Sequence, residues 1–195
     1  TTEATNTGMT GYRYRCIVSG SSPCGNVTSD DALLTVTLSP VSIWSNPITG
    51  TNPGLSNPWT TGDVKDTNIT VSGIGMGSGV AGSNANDRYN ANSWNTGSID
   101  LDAYFEFTLT PAFGYEIDLN DFSYTSQRSN TSINNFAFRS SLDSYTTDIG
   151  SPNFSGTTID LSDAAYQNLT GAITFRFYAW GADAGGRTFS INDFN

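Results

Sequence analysis

The sequence predicts an all-β protein, an antiparallel β-sandwich of jelly-roll type preceded by a β-hairpin. Three observations lead there. Apolar and polar residues alternate with period two in several short runs, as where Phe105, Phe107 and Leu109 alternate with Glu106 and Thr108. Turn residues separate the runs, Thr, Ser, Asn and Gly recur throughout, and helix formers are scarce. Eleven Phe, nine Tyr and four Trp in 195 residues supply more ring material than a disordered polar chain carries, and the length allows a sizeable core.

The first element is a hairpin. "GYRYRCIVSG" and "DDALLTVTL" alternate as strands do, and a Ser/Pro/Gly-rich loop joins them. Cys16 and Cys24 flank that loop in "CIVSGSSPC". In a secreted chain the first expectation is a disulfide between them, and two thiols in a reducing compartment are the alternative. Residues 39–62 follow, with prolines at 40, 47, 53 and 58, which exclude a central strand or a helix interior. This stretch reads as a linker or an ordered lead-in loop, and its Trp44 and Trp59 favour packing over free solvent.

From Asp63 onward strand signals recur at short spacing: "TNITVSGI", "AYFEFTLTP", "YEIDLNDFSYTSQ", "NNFAFRSSL", "GTTIDLS", "GAITFRFYAWG" and "RTFSINDF". Seven such strands suit a two-sheet sandwich, with a jelly roll the leading candidate. The glycine-rich "GIGMGSGVAGS" lacks the Lys-Ser/Thr of a phosphate loop and reads as a flexible β connection. The one helix-like stretch is "LSDAAYQN", about two turns, with Ser162 placed to cap it.

Two resemblances add to this reading. Tyr14 stands two residues before Cys16, the spacing of a tyrosine corner. "GYRYRCIVSG…NVTSDDALLTV" resembles the last two strands of the Ig-like repeats of large secreted bacterial proteins, covering residues 1–38 without the repeat's earlier strands. Residues 41–195, with "GSGVAGSNANDRYNANSWN", "YFEFTLTPAFGYEIDL" and "ITFRFYAWGADAGGRTFSINDFN", resemble a C-terminal module of secreted multidomain proteins of gliding and marine bacteria. The ending "FSINDFN" is similar to the "FxIDDV" last strand of jelly-roll carbohydrate-binding modules, in which an Asp helps to hold a structural calcium. Asn192 stands here where that motif has its first Asp. The expected organisation is therefore the end of an Ig-like repeat at 1–38, the Pro-rich segment at 39–62 and the jelly roll at 63–195, all part of a longer protein.

Charge narrows the function. The net charge is −10, with one lysine, no histidine and a pI near 4.1. No Lys/Arg cluster is present to displace counterions from a phosphate backbone, so nucleic acid is not an expected partner. The lack of histidine excludes a Ser-His-Asp triad, a Cys-His pair and a His-ligated zinc within this chain. No apolar run approaches the roughly 18 residues of a membrane-spanning helix. Acidity with little lysine and much Asn, Thr and Ser points to an extracellular or cell-surface location.

Three kinds of site remain. For a structural calcium the candidate ligands are Asp193, Asp63 and Asp66, with Asp100, Asp102 and the amides of Asn68 and Asn192 as further oxygen donors. If Ile191 and Phe194 are both buried, a bulge or a terminal twist is needed, and Asp193 then points toward the sheet edge, where it would bind the ion or simply guard the edge from pairing. For catalysis only paired carboxylates are available, Glu106 with Glu116 or Asp118, but alternation places Glu106 on the outside opposite the phenylalanines, where a surface acid belongs. An enzyme is not expected.

For carbohydrate, the candidate stacking platforms are the aromatics assigned to loops, Trp94, Trp180, Tyr89 and Tyr145, with Arg88, Arg187, Arg128 and Arg139 nearby. The competing expectation is that Trp180 finishes the core and Trp94 covers a sheet edge. The leading function is a non-catalytic carbohydrate-binding or adhesive module recognising polysaccharide or a cell-surface glycan. The alternative is a structural segment of a surface fibre or exported adhesin that contacts neighbouring protein domains. The two differ in whether several of those four aromatics stand exposed on one face.

Overall fold

A computed structural model describes residues 9–23, 25–35 and 41–195. The chain divides into two compact units, Thr1–Val41 and Ser42–Asn195.

In the first unit the strands are β1 (Arg13–Tyr14), β2 (Ile17–Val18), β3 (Val27–Thr28) and β4 (Ala32–Leu33). β1 pairs with β4 and β2 with β3, both antiparallel, as a nested hairpin. Between the two pairs, the Cys16 N–H donates to Ser29 Oγ and the Ser29 N–H to the Cys16 carbonyl, each at 2.9 Å. Every strand residue of this hairpin is exposed, among them Ile17 at 53%, Val18 at 62% and Val27 at 68%. Cys16 is also exposed, and its expected partner Cys24 lies outside the described residues.

The second unit contains β5 (Trp44–Ser45), β6 (Val64–Lys65), β7 (Ile69–Val71), β8 (Gly75–Met76), β9 (Ala81–Gly82), β10 (Tyr89–Asn92), β11 (Tyr104–Pro111), β12 (Asp121–Arg128), β13 (Asn135–Ser140), β14 (Gly156–Asp160), β15 (Ile173–Trp180) and β16 (Phe189–Phe194). One sheet has the order β14-β12-β16-β10-β9, and the other β13-β15-β11-β7 with β8 also on β11. From β10 onward successive strands alternate between the two sheets, which is how a jelly roll is wound.

The period-two pattern has its expected effect. On β11 and β15 the residues Phe105, Phe107, Leu109, Ile173, Phe175 and Phe177 turn inward and are at most 7% exposed. From the facing sheet come Phe122, Tyr124, Phe189, Ile191 and Phe194. Rings stack both across the layer, Phe138 on Phe122, and between neighbouring strands of one sheet, Phe138 on Phe175, each pair with centroids 5.2 Å apart. Burial of each such side chain contributes roughly 1.5–3 kcal/mol.

Three expectations are revised. The sandwich begins at Ser42, because the Pro-rich segment is part of it. Trp44 is 4% exposed and packs on Phe107 and Phe194, and Asn46 exchanges two 3.1 Å backbone hydrogen bonds with Phe194. Within this segment Gly54 lies directly on β10, where an added Cβ would come 2.2 Å from the Asn90 carbonyl. Instead of a two-turn helix capped by Ser162, the structure has one 3₁₀ turn at Ala164–Tyr166 capped by Asp163, whose carboxylate accepts from the Ala165 N–H. The glycine-rich stretch is a tightly packed edge, with β8 and β9 in it and Gly73, Ile74, Gly75 and Gly77 buried.

No helix among the described residues is long and apolar enough to cross a membrane.

Candidate functional site

The alternation that sends phenylalanines inward on β11, β13 and β15 leaves a second set of side chains on the outer face of the sheet. Tyr104 pairs with Tyr178, Glu106 with Arg176 and Thr108 with Thr174, while from β13 Ala137, Arg139 and Asn135 stand opposite Tyr178, Arg176 and Trp180. A charged row thus crosses three strands. Arg176 Nε donates to Glu106 Oε2 at 3.1 Å, and Arg139 Nε to Asp148 Oδ1 at 2.6 Å. The Arg176 guanidinium lies between two rings, 3.9 Å from the Tyr104 centroid and 4.0 Å from that of Tyr145. Cation–π contacts of this kind contribute about 0.5–2 kcal/mol, more as the cation loses water.

Tyr145 comes from the loop after β13, and its position is enforced. Ser144 and Tyr145 both have φ of 60°, the left-handed region that non-glycine residues seldom enter. Each such residue costs on the order of 1 kcal/mol or more, so the surroundings must hold it. The Tyr145 N–H donates to the Ser140 carbonyl at 2.9 Å and its own carbonyl accepts from Arg139 Nη1 at 3.1 Å. Asp143 accepts from the Thr146 and Thr147 N–H groups at 3.2 and 2.9 Å, which closes the turn. Its carboxyl is held down at about 2 by the Thr147 hydroxyl first, with the remaining Thr146 and Thr147 donors assisting. The loop is also pinned to the sheet, since the Thr174 N–H donates to Ser141 Oγ at 3.0 Å.

Burial raises the phenol pKa of Tyr104 and Tyr178, so both remain neutral hydroxyls at physiological pH. For Arg176 burial works against the charged form, but hydrogen bonding to Tyr178 and Glu106 outweighs it and the guanidinium pKa rises. Beyond Tyr104 the face adjoins a cleft of about 480 Å³ that includes Asn57, Met76 and Gly77. Gly77 is required there, because a Cβ would fall 2.7 Å from the Tyr104 ring.

Of the four aromatics expected as platforms, two reach this face and two do not. Trp180 ends β15 on the same outward row as Tyr178 and Arg176, is partly exposed, and Tyr145 stacks on Arg176. Trp94 and Tyr89 are in the core instead, at 1% and 0% exposure, and neither can offer a ring to a ligand. The reason is local. Residues assigned to a loop form β10, which pairs with β16, and Trp94 folds back so that its Nε1–H donates to the Ala91 carbonyl at 2.9 Å while its ring meets Phe105 and Phe189.

The arginines are also distributed differently. Arg88 precedes β10 in the other sheet, and Arg187 pairs with Asp183 in the loop between β15 and β16. Arg128 donates to the Thr131 and Ile133 carbonyls and covers the Phe154 ring at 3.9 Å.

The acids expected to bind calcium are engaged locally. Asp63 Oδ1 accepts from Trp44 Nε1 at 2.9 Å and Asn46 Nδ2 at 2.8 Å, and Asp66 accepts from the Asn68 N–H at 2.7 Å. The bulge at the last strand is present. Ser126 pairs with Ile191 but Thr125 pairs with Asp193, so Ile191 and Phe194 are both buried and the exposed Asp193 accepts from the Thr125 hydroxyl. Among the described residues no three His, Cys, Asp or Glu side chains gather as a metal-holding group.

Sequence reasoning passed over Tyr104, Arg176 and Tyr178 as site residues. The signal was the same period-two row that carries Trp180. No family model, no curated protein and no solved structure matches this chain.

Proposed function

We propose that the sandwich is a non-catalytic polysaccharide-binding or adhesive module that works at the cell surface or outside the cell, with the outer face of β13, β15 and β11 as its binding surface. The observation that carries this reading is the placement of the partly exposed Trp180 on one row with Arg176, flanked by Tyr145 and Tyr104, while Tyr178 of the same row is itself only 1% exposed and supports its neighbours. An indole with an open face stacks on the apolar side of a pyranose ring, and neighbouring amides, hydroxyls and guanidiniums bond its hydroxyls. Asn135 and the Thr108–Thr174 hydroxyl pair, 2.7 Å apart, supply such partners beside the aromatics. The strained Tyr145 backbone supports the same reading, because preorganised aromatic groups lose little freedom on binding.

Affinity electrophoresis against soluble polysaccharides tests it. Trp180→Ala is expected to abolish retardation while leaving the thermal melt near that of the parent, and Gln127→Ala on the opposite sheet is expected to leave retardation intact. Equal retardation of parent and Trp180→Ala would remove the face from consideration.

A second reading applies to the first unit. Its hairpin carries Ile17, Val18, Val27 and Leu33 in the open, from 53% to 68% exposed, which suits contact with a neighbouring protein domain.

A further inference from the structure

Resting on the proposed binding role of the outer face, we infer that its ligand is a neutral polysaccharide and that uronic or sulfated glycans are disfavoured. The arginines of the face are already matched with acids. Arg176 is held by Glu106 and enclosed by two tyrosine rings, and Arg139 is held by Asp148, so two cations meet two carboxylates and the row sums to zero. For a carboxylate or sulfate ester to take a bidentate grip on either guanidinium, an ion pair inside the face must first be broken. Nor are the acids withdrawn from solvent. The Glu106 side chain is 35% exposed and that of Asp148 55%, so an approaching polyanion meets negative charge at the surface of the row.

The arginines of the loops at this end are engaged as well, Arg187 by Asp183 and Arg128 by two backbone carbonyls. A net charge of −10 adds repulsion within the Debye length, about 10 Å at 0.1 M salt. What the face leaves open to solvent beside the ion pairs is uncharged: the partly exposed Trp180, Tyr104 and Tyr145 and the exposed Asn135, while Tyr178 is 1% exposed and the Thr108 and Thr174 hydroxyls bond each other. Arg176 and Arg139 are thus positioning residues that fix the tyrosines and the Tyr145 loop.

The test compares the full chain with two sets of soluble probes, neutral (xyloglucan, galactomannan, laminarin) and anionic (alginate, polygalacturonate, dextran sulfate), at low and high salt. The expected result is that at least one neutral probe binds about tenfold or more tighter than every anionic one, with little response to salt. Anionic probes binding as tightly as the neutral ones, with affinity falling steeply in salt, would overturn the inference and leave the binding role standing. Failure of all six would overturn both. The double variant Glu106→Gln, Asp148→Asn keeps the shape of the row and releases the guanidiniums. It is expected to gain salt-sensitive binding to alginate, and absence of that gain would show that the ion pairs are not what excludes anions.

Discussion

The two outer faces of the sandwich are built by the same alternation on the same kind of strand, yet they carry different chemistry. On the sheet containing β12, β14 and β16 the outward residues are small and uncharged or acidic. Ser123 and Thr158 share a 2.7 Å hydroxyl contact, Asn192 donates to Gln127 at 3.3 Å, and Thr125 donates to Asp193. On the sheet containing β11, β13 and β15 the outward residues include Tyr104, Tyr178, Trp180, Arg139 and Arg176. Inward, both sheets bury phenylalanines and aliphatic residues alike. The first face shows that this sandwich closes with an exterior of hydroxyls and amides. The second face instead carries large rings and guanidiniums with a partly exposed indole among them, and the proposed binding role rests on that contrast.

The sharpest way to break that comparison is to treat the two tryptophans alike. Trp94→Ala is expected to lower stability by about 3–5 kcal/mol, as expected for a large ring lost from a packed core, and thermal unfolding measures it. Trp180→Ala is expected to cost under about 1 kcal/mol and to remove binding instead. Similar melting shifts for the two would mean that Trp180 is as structural as Trp94.

The next effect is smaller. Arg176→Ala removes two ring contacts and the Glu106 pair, and denaturant unfolding is expected to show a loss of about 1–2 kcal/mol. Gln127→Ala on the opposite face is expected to stay within about 0.5 kcal/mol of the parent. If both variants lie within that limit, the interactions around Arg176 are ordinary surface contacts.

The smallest expected effect concerns acid. The folded-state pKa of Asp143 is depressed from its ordinary 3.8 to about 2 by the threonine donors. Its contribution is therefore fully present above the ordinary value and is lost as pH falls through about 2. NMR signals of the Tyr145 loop should shift in that window ahead of global unfolding, and Asp143→Asn should remove the shift. A loop that titrates identically in both proteins would separate Asp143 from the positioning of Tyr145.

Much of this organisation is legible in the sequence where the chemistry is local. Alternation in "AYFEFTLTP" and "GAITFRFYAWG" specifies β11 and β15 and their buried sides, and in "FSINDFN" the need to bury both Ile191 and Phe194 calls for a bulge or a terminal twist, of which the structure has the bulge. Among the described residues 41–62, where Pro47, Pro53 and Pro58 lie, there is only the two-residue β5 and one 3₁₀ turn, and Trp44 and Trp59 anticipate the packing found there. Less was legible where a short segment with two asparagines disguises a strand. "YNAN" carries no period-two signal, since Tyr89, Asn90 and Ala91 are all buried, the asparagine beneath Gly54. Trp94 followed the same error, because a ring assigned to that loop looked free to meet solvent.

What the sequence by itself determined is the fold class, the inward rows of phenylalanine and the alternation of Thr174, Arg176 and Tyr178 with them, all consequences of a side-chain period fixed by backbone geometry. Only the tertiary structure decided that Tyr145 lies over Arg176, that Glu106 and Asp148 neutralise the arginines of that face, and that Tyr89 and Trp94 belong to the core. These pairings join residues up to 70 positions apart, through strand register and a strained loop. Register is set by the burial of all strands together, so it cannot be read from any one of them.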